Sequence, residues 1–238
     1  MTDSPTYFLL FLGSFMTMQS LRIDFVSDVV CPWCIVGYLR MQKGLEALQE
    51  EVSVDLHWHP FELNPHMPPE GQNLREHIMQ KYGSTEAQSK AARDNLRKIG
   101  QDLGFSFEHF EDMRIYNTAR AHQLLHWARE YGKEHDLKLN LFSAYFTDGR
   151  NINDISVLCE RAAEVGLDTE EAEMVLNQEK FASAVQKERN LWMGKILNAV
   201  PAFVFQEKYF FSGAQEPATF TEVIEKVLAK ETTGESAS

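Results

Sequence analysis

The first part of the chain has the apolar pattern of a strand, a helix and a second strand. Apolar residues at 21, 23 and 25 and a Val pair at 29–30 predict a first strand over 21–26. From Pro32 onward, apolar positions recur every three or four residues, which predicts a helix. Alternation over 52–58 predicts a second strand that ends near Pro60. This order predicts a parallel βαβ unit.

The middle of the chain, residues 70–198, has helical periodicity and hardly any alternation. Glycines suit the ends of several of these helices, because glycine readily adopts the left-handed conformation that terminates a helix. The pattern predicts helices over 74–82, 86–103, 117–135, 138–146, 155–165, 169–176 and 181–197, with stop signals at Gly83, Gly104, Gly149 and Gly166.

Strand character returns near the end of the chain. Residues 202–205 and 209–211 predict a hairpin with a turn over 206–208, and residues 220–228 predict a last amphipathic helix. Sheet segments on both sides of a long helical block indicate an α/β fold that carries an insertion. We therefore predict a leader or non-native extension (1–20), a discontinuous α/β domain (21–69 and 199–230), a helical insertion (70–198) and a polar tail (231–238).

Composition and charge limit the classes of partner. The chain is 44% hydrophobic and 24% charged, as globular proteins are, and its net charge of −12 argues against a nucleic-acid partner. An apolar run begins at Tyr7 and ends at Phe15, but no Lys or Arg precedes it. The run is also shorter than the roughly 20 residues of a membrane span. We expect a cytoplasmic protein without a membrane partner, while this run leaves export open.

Cys31 and Cys34 give the sharpest chemical signal, a C-x-x-C pair at a predicted strand-to-helix junction. The first sulfur then lies at a helix N-terminus, where unpaired N–H groups and the helix dipole stabilise a thiolate. We predict that Cys31 is the nucleophile and that Cys34, one turn further on, resolves a mixed disulfide. Half of a zinc site is the alternative, but the chain has no second C-x-x-C pair, and we expect no metal.

The segments around this pair resemble the DsbA-like thioredoxin-fold oxidoreductase family, especially its FrnE-like branch, which is related to 2-hydroxychromene-2-carboxylate isomerases. The resemblance covers nearly all of 21–228. It implies a thioredoxin-like fold with a large all-helical insertion between the N-terminal βαβ unit and the C-terminal hairpin and helix. The segments that carry it are 27–34 (SDVVCPWC), 60–65 (PFELNP), 117–122 (NTARAH), 146–154 and 200–204 (VPAFV).

The resemblance also implies roles for residues around the thiols. It assigns Pro201 to a cis-proline loop, where the backbone of Val200 would meet an extended peptide substrate. Pro32 and Trp33, which lie between the two cysteines, are also predicted to support the active site. Weaker cleft candidates, for which a turn, cap or core role is equally consistent, are Asp28, Asn117, His122, Gly213 and Gln215.

Two pairs of histidines also invite a functional interpretation. His122 and His126 lie one helical turn apart, but no H-E-x-x-H motif accompanies them. His57 and His59 share one face of the second predicted strand, and we interpret that face as exposed.

These features predict thiol–disulfide exchange, with reductase or isomerase activity favoured over oxidase activity in a reducing cytoplasm. The expected partner is a disulfide- or thiol-bearing protein or small molecule. No cofactor is required, although glutathione can serve as thiol donor, and the residues do not identify the reducing partner. One alternative is a glutathione-dependent isomerase, whose relatives usually have serine at the position of Cys31. The other is a chaperone-like peptide-binding module.

Overall fold

A computed structural model describes residues 18–108, 113–195 and 199–234 of the chain. Its strands are β1 (Gln19–Ser27), β2 (Val52–Pro60), β3 (Gln72–Asn73), β4 (Arg114–Ile115), β5 (Ala202–Phe205) and β6 (Tyr209–Ser212). Its helices are α1 (Pro32–Leu45), α2 (Leu74–Tyr82), α3 (Glu86–Asp102), α4 (Ala119–Ala128), α5 (Glu134–Phe146), α6 (Ile155–Glu164), α7 (Thr169–Asn177), α8 (Ala182–Met193) and α9 (Pro217–Thr233).

The main sheet has the strand order β2-β1-β5-β6. β1 pairs in parallel with β2 and antiparallel with β5, and Phe25 in β1 lies opposite both Trp58 and Phe203. Because β1 has a neighbour on each side, its inward residues and even Asp24 are fully buried. β5 and β6 form the predicted hairpin, whose turn carries positive φ angles at Gln206 and Glu207. The predicted α/β thioredoxin-like fold with a helical insertion is confirmed.

The predicted stop signals of the helical block are confirmed by backbone geometry. Gly83, Gly104, Gly149 and Gly166 all have positive φ and lie just beyond helices α2, α3, α5 and α6. Glycine tolerates this conformation because it has no Cβ to clash with the backbone.

The prediction of one helix over 117–135 is wrong. α4 ends at Ala128 and passes into a short 3₁₀ turn, and Gly132 then takes a φ of 65° that no continuing helix can hold. α5 begins at Glu134, so His135 belongs to the next helix rather than to the end of the predicted one.

Other boundaries also differ from the prediction. α9 begins at Pro217, which suits a first helical position, and runs to Thr233, so the start of the predicted polar tail is helical. The small antiparallel pair of β3 and β4 was not predicted, because two residues per strand are too few to show alternation. The apolar run from Tyr7 to Phe15, residue Leu197 and the end of the tail lie outside the described residues.

The hydrophobic core extends from the sheet into the helical block. One continuous cluster contains β1 residues such as Phe25 as well as Leu124, Phe142 and Leu176 of the insertion. A smaller cluster, which includes Trp192 of α8, covers Val26 and Ala202 on the sheet. The division into domains stays a prediction. Within the residues described, no helix combines the length and apolar character needed to cross a membrane.

Candidate active site

Cys31 and Cys34 lie where β1 gives way to α1, as the sequence predicts. Cys31 is the N-cap residue, and Pro32 occupies the first turn, where a missing N–H leaves no intrahelical bond unmade. The N–H of Cys31 donates to Asp28 O at 3.1 Å, and the N–H of Cys34 donates to Cys31 O at 3.0 Å. Both thiols are free, and they are 4% and 0% exposed.

The two thiols differ in their surroundings. Complete burial, together with the neighbouring Cys31 thiol, raises the pKa of Cys34 well above its ordinary value. Only Cys31 retains any contact with solvent. Cys31 is therefore the more accessible of the two thiols.

The loop before β5 packs against the thiol-bearing helix. The peptide bond between Val200 and Pro201 is cis, in line with the resemblance. Gly37 in α1 faces this proline so closely that a Cβ there would lie 3.2 Å from Pro201 Cγ. Pro201 O accepts a hydrogen bond from the N–H of Gly213 at 2.9 Å. The structure thus brings Val200, Pro201 and Gly213 together beside α1.

Gln215 belongs to the same corner of the molecule. Its side-chain Nε2 donates to Ser212 O at 3.1 Å and lies beneath Gly213, whose φ is 82°. These contacts give Gln215 a turn-forming role next to the cis-proline loop. Trp33, by contrast, is 41% exposed, so it presents an aromatic surface beside the more accessible thiol.

Asp28 and His122 meet behind the cysteines. Asp28 is fully buried, and its Oδ2 accepts a hydrogen bond from the N–H of Leu63 at 2.8 Å. His122 Nε2 lies 2.9 Å from Phe61 O and 3.4 Å from Asp28 Oδ1. Because a carbonyl oxygen only accepts, Nε2 carries the proton and faces both oxygens. Asp28 and His122 thereby hold the loop that follows β2 against the active-site turn.

Asn117 bonds to backbone groups of two segments, and neither of these hydrogen bonds involves the thiols. Its Nδ2 donates to Pro65 O at 3.0 Å, and its Oδ1 accepts from the N–H of Ala119 at the start of α4. The residue therefore joins the loop after β2 to the beginning of α4.

The interpretation of His59 as part of an exposed strand face is wrong. Its side chain is 13% exposed, and its ring lies 2.8 Å from Asp24 Oδ1 and 2.7 Å from Glu188 Oε1. α8 covers this part of β2, and the strand pattern contains no signal of that coverage. His57, two residues earlier, remains 39% exposed beside Asp55.

Lys138 is a residue of the site that the sequence pattern did not identify. It lies near the start of α5, is 1% exposed, and places Nζ 5.4 Å from the ring centre of Trp58. Burial lowers the pKa of Lys138 to about 8, although the charges of Cys34 and Asp28 act in the opposite direction. Two leucines, Leu137 and Leu139, flank it in the sequence, but charged and polar residues such as Glu134 and Asn140 are also near, so the local pattern does not predict its burial.

A groove whose lining does not include the thiols has room for a small ligand. It has a volume of about 480 Å³ and lies between the loop that follows β2 and helix α2. Its lining includes Leu63, Asn64, His77 and Lys81. For metals, the described residues contain no cluster of three or more His, Cys, Asp or Glu side chains suited to hold an ion.

A family match covers most of the chain. The sequence model of the DSBA-like thioredoxin domain matches residues 22–225. Among solved structures, the chain is similar to a probable DsbA oxidoreductase, SCO1869, from Streptomyces coelicolor, with 31% identity and a TM-score of 0.82. That similarity covers 92% of each chain.

Two more distant structures share the fold. The cytosolic disulfide reductase DsbM from Pseudomonas aeruginosa, solved with GSH, is 20% identical with a TM-score of 0.60, over 87% of this chain and 99% of DsbM. A 2-hydroxychromene-2-carboxylate isomerase is 13% identical with a TM-score of 0.64, over 91% of this chain and all of the isomerase. At these identities the likeness supports the fold alone.

Proposed function

Because the chain belongs to the DSBA-like thioredoxin domain family, we propose that it exchanges disulfides through Cys31 as nucleophile and Cys34 as resolving thiol. The observation that carries this proposal is the pair of free thiols at the start of α1, one at the N-cap and one fully buried behind it. The dipole of α1 favours negative charge at its N-terminus, where Cys31 lies, and the thiolate is the reactive form of a cysteine.

The reductive direction proceeds in two displacements. The Cys31 thiolate attacks one sulfur of a substrate disulfide, which forms a mixed disulfide and releases the first substrate thiolate. The Cys34 thiolate then attacks Cys31 Sγ, which forms the Cys31–Cys34 disulfide and releases the second substrate thiolate. Two electrons pass from the protein to the substrate. Two molecules of an external thiol return them and become one disulfide.

The corner of the molecule beside α1 is where we expect the substrate to bind. Trp33 offers an exposed apolar surface, and Val200 precedes the cis Pro201 in the loop that packs against α1. We expect an extended peptide to bind there through main-chain hydrogen bonds, in the manner of an added strand. Disulfide- or thiol-bearing proteins and small molecules both fit this open arrangement.

Glutathione is the thiol donor that we propose for turnover. The structurally similar DsbM was solved with this tripeptide, and the groove between the loop after β2 and α2 offers polar groups for a ligand of that size. In a cytoplasmic compartment, which the sequence predicts, a reducing glutathione pool favours reductase or isomerase activity over oxidase activity. The compartment itself stays a prediction.

The decisive experiment is insulin disulfide reduction with glutathione or dithiothreitol as electron donor. Cys31→Ser should abolish activity, and Cys34→Ser should accumulate a mixed disulfide with the substrate, detectable by mass spectrometry. Cys159→Ser is the matched control and should behave like wild type, because this half-buried cysteine lies on α6.

Insulin reduction and a parallel measurement of peptide binding separate the two alternatives. A wild-type protein without activity above background would contradict the oxidoreductase proposal and favour a glutathione-dependent isomerase similar to its structural relative. Peptide binding that persists unchanged in a Cys31→Ser, Cys34→Ser double variant without any reductase activity in wild type would favour a chaperone-like module.

A further inference from the structure

Glu62 and Arg189 form a shielded ion pair that the thiol exchange described above does not use. Arg189 Nη1 donates to Glu62 Oε1 at 2.7 Å, and the two side chains are 17% and 8% exposed. Within the described residues, Arg189 Nε is buried without a hydrogen-bond partner. A shielded ion pair adds little stability, because the cost of removing both charges from water offsets their attraction. Such pairs can instead fix the relative position of the segments that they join.

Glu62 lies in the segment that follows β2, and both of its neighbours are bonded to the turn between β1 and α1. The N–H of Phe61 donates to Ser27 O at 3.2 Å. The N–H of Leu63 donates to Asp28 Oδ2 at 2.8 Å. These bonds hold the backbone on either side of Glu62 against the turn that leads to the thiols.

Arg189 belongs to the side of α8 that packs on the sheet. Trp192 follows it by three positions, so the two side chains are neighbours on the same side of the helix. Trp192 is 6% exposed and lies in the small apolar cluster that contains Phe61 and Ala202. Val200, the residue before the cis proline, packs against the same cluster. One side of α8 therefore bonds to the segment after β2 and supports the loop before β5.

We propose that the Glu62–Arg189 ion pair positions the cis-proline loop for peptide substrates, a role that rests on the proposed function. The pair fixes α8 against the segment after β2, and the packing of α8 sets where Val200 lies relative to Cys31. Both charged residues act through the loop and not on the reacting sulfur atoms, so they are positioning residues. Their loss should weaken the binding of a peptide and leave the chemistry of the thiols unchanged.

The difference between a peptide and a small disulfide follows from the geometry of hydrogen bonds. A peptide that adds as a strand needs the main chain of the loop at bonding distance. A shift of the loop by about 1 Å takes such a bond out of the range of roughly 2.7–3.2 Å in which it is strong. A disulfide without a peptide main chain needs only access to Cys31 and does not depend on these bonds.

Single turnovers of the reduced protein with two different disulfides test the proposal, followed by acid quench and mass spectrometry. One is a short synthetic peptide with an internal disulfide, which is varied in concentration. The other is the small aromatic disulfide reagent DTNB, which has no peptide main chain. All proteins carry Cys159→Ser, so that only the active-site pair reacts.

The variants remove the charges of the pair singly and together. Glu62→Gln and Arg189→Met each remove one charge, and the double variant removes both, so that no unpaired buried charge is left to impair folding. Arg189→Lys keeps the positive charge and tests whether a single contact with Glu62 is sufficient. Glu160→Gln is the matched control, because Glu160 forms an equally short ion pair with Arg150, at 2.6 Å, on an exposed surface of the insertion.

We expect each single variant to raise the half-saturating concentration of the peptide by at least about five-fold, the equivalent of one main-chain hydrogen bond. The limiting rate and the rate constant with DTNB should change less than about two-fold, because the thiols are unaltered. The double variant should not exceed the larger single effect, since the two charges act as one unit. Arg189→Lys should retain most of the affinity, and Glu160→Gln should match the parent protein.

An unchanged half-saturating concentration in the folded variants would overturn the proposal. Equal losses with the peptide and with DTNB would also overturn it, because the pair would then act on the thiols themselves. Circular dichroism checks that each variant is folded, and the double variant carries the test if a single variant does not fold. Failure of the parent protein to reduce either disulfide would instead contradict the proposed function, so the two failures are distinguishable.

Discussion

Replacement of His59 by Gln tests the charged network that connects the sheet with α8. His59 lies between two carboxylates, with Nε2 2.8 Å from Asp24 and Nδ1 2.7 Å from Glu188. Carboxylate oxygens accept, so both ring nitrogens donate and the ring is an imidazolium. Gln cannot carry this charge or reach both partners.

The expected cost follows from burial and from the partners that remain. Hydrogen bonds to charged groups contribute about 1.5–3 kcal/mol each. Asp24 is fully buried, but it keeps a two-point contact with Arg22 at 2.8 and 2.9 Å, and Glu188 keeps Arg129 at 2.8 Å. The lower end of the range therefore applies to both lost bonds. We expect His59→Gln to reduce the free energy of unfolding by about 3 kcal/mol.

The pH dependence of this loss has a definite sign. Burial opposes the imidazolium, but hydrogen bonds to Asp24 and Glu188 outweigh it and raise the pKa of His59 above 6.5. The stabilisation is therefore complete below about pH 6.5 and is lost as pH rises through the higher folded-state pKa. Despite burial, hydrogen bonds from His59 and from neighbouring basic side chains hold the pKa of Asp24 and the pKa of Glu188 well below their ordinary values. Their stabilisation is present above those ordinary values and is lost in acid.

Urea unfolding followed by far-UV circular dichroism measures the effect. At pH 6, a loss of about 3 kcal/mol should lower the midpoint by about 1 M urea, and the difference from wild type should shrink at pH 9. His57→Gln is the matched control, because the exposed His57–Asp55 pair should contribute less than about 1 kcal/mol. The reasoning is refuted if the two variants lose equal stability, or if the His59→Gln deficit grows with pH.

Two further substitutions test packing and substrate contact. Gly44→Ala should lower the free energy of unfolding in urea by about 1–3 kcal/mol, because the new Cβ would lie 2.6 Å from Pro217 O of α9. Gly194→Ala is the control and should be near neutral, because a Cβ there meets only ordinary contacts. Equal effects of the two substitutions would contradict this packing argument. Trp33→Ala should slow insulin reduction several-fold more than DTNB reduction, since its 41% exposed ring offers surface to a protein substrate. Phe210→Ala, a 47% exposed aromatic on β6, should change neither rate, and a similar loss there would contradict a specific role for Trp33.

Local signals in the sequence were sufficient for much of the fold. Glycines with positive φ mark real helix ends at Gly83 and Gly166, because the requirement for a left-handed residue is a property of the chain itself. The C-x-x-C pair likewise places Cys31 at a helix start, because strand periodicity stops before it and Pro32 follows it. These features depend on few neighbours in space.

Features that depend on packing between segments distant in sequence could not be predicted from local patterns. Apolar periodicity continues across Gly132, so the pattern predicts one helix, whereas a 3₁₀ turn and the left-handed Gly132 separate α4 from α5 in the fold. The alternation of β2 puts His59 on the same face as His57, and such a polar face is commonly exposed to solvent, so the pattern predicts exposure. Glu188 and Trp192 of α8 cover that face, and nothing in the strand itself encodes their approach.

Trp58 shows how the helical insertion becomes part of the site. Alternation predicts an inward side chain at this position, and its ring does pack 4.8 Å from Phe25. The same ring faces Tyr38 of the thiol-bearing helix, donates from Nε1 to His135 Nδ1 at 3.2 Å, and lies beneath the ammonium of Lys138. One strand residue therefore contacts both the helix of the thiols and the first turns of α5. A change in how α5 packs on Trp58 would also change the packing of Tyr38 on the thiol-bearing helix, because both elements contact the same ring.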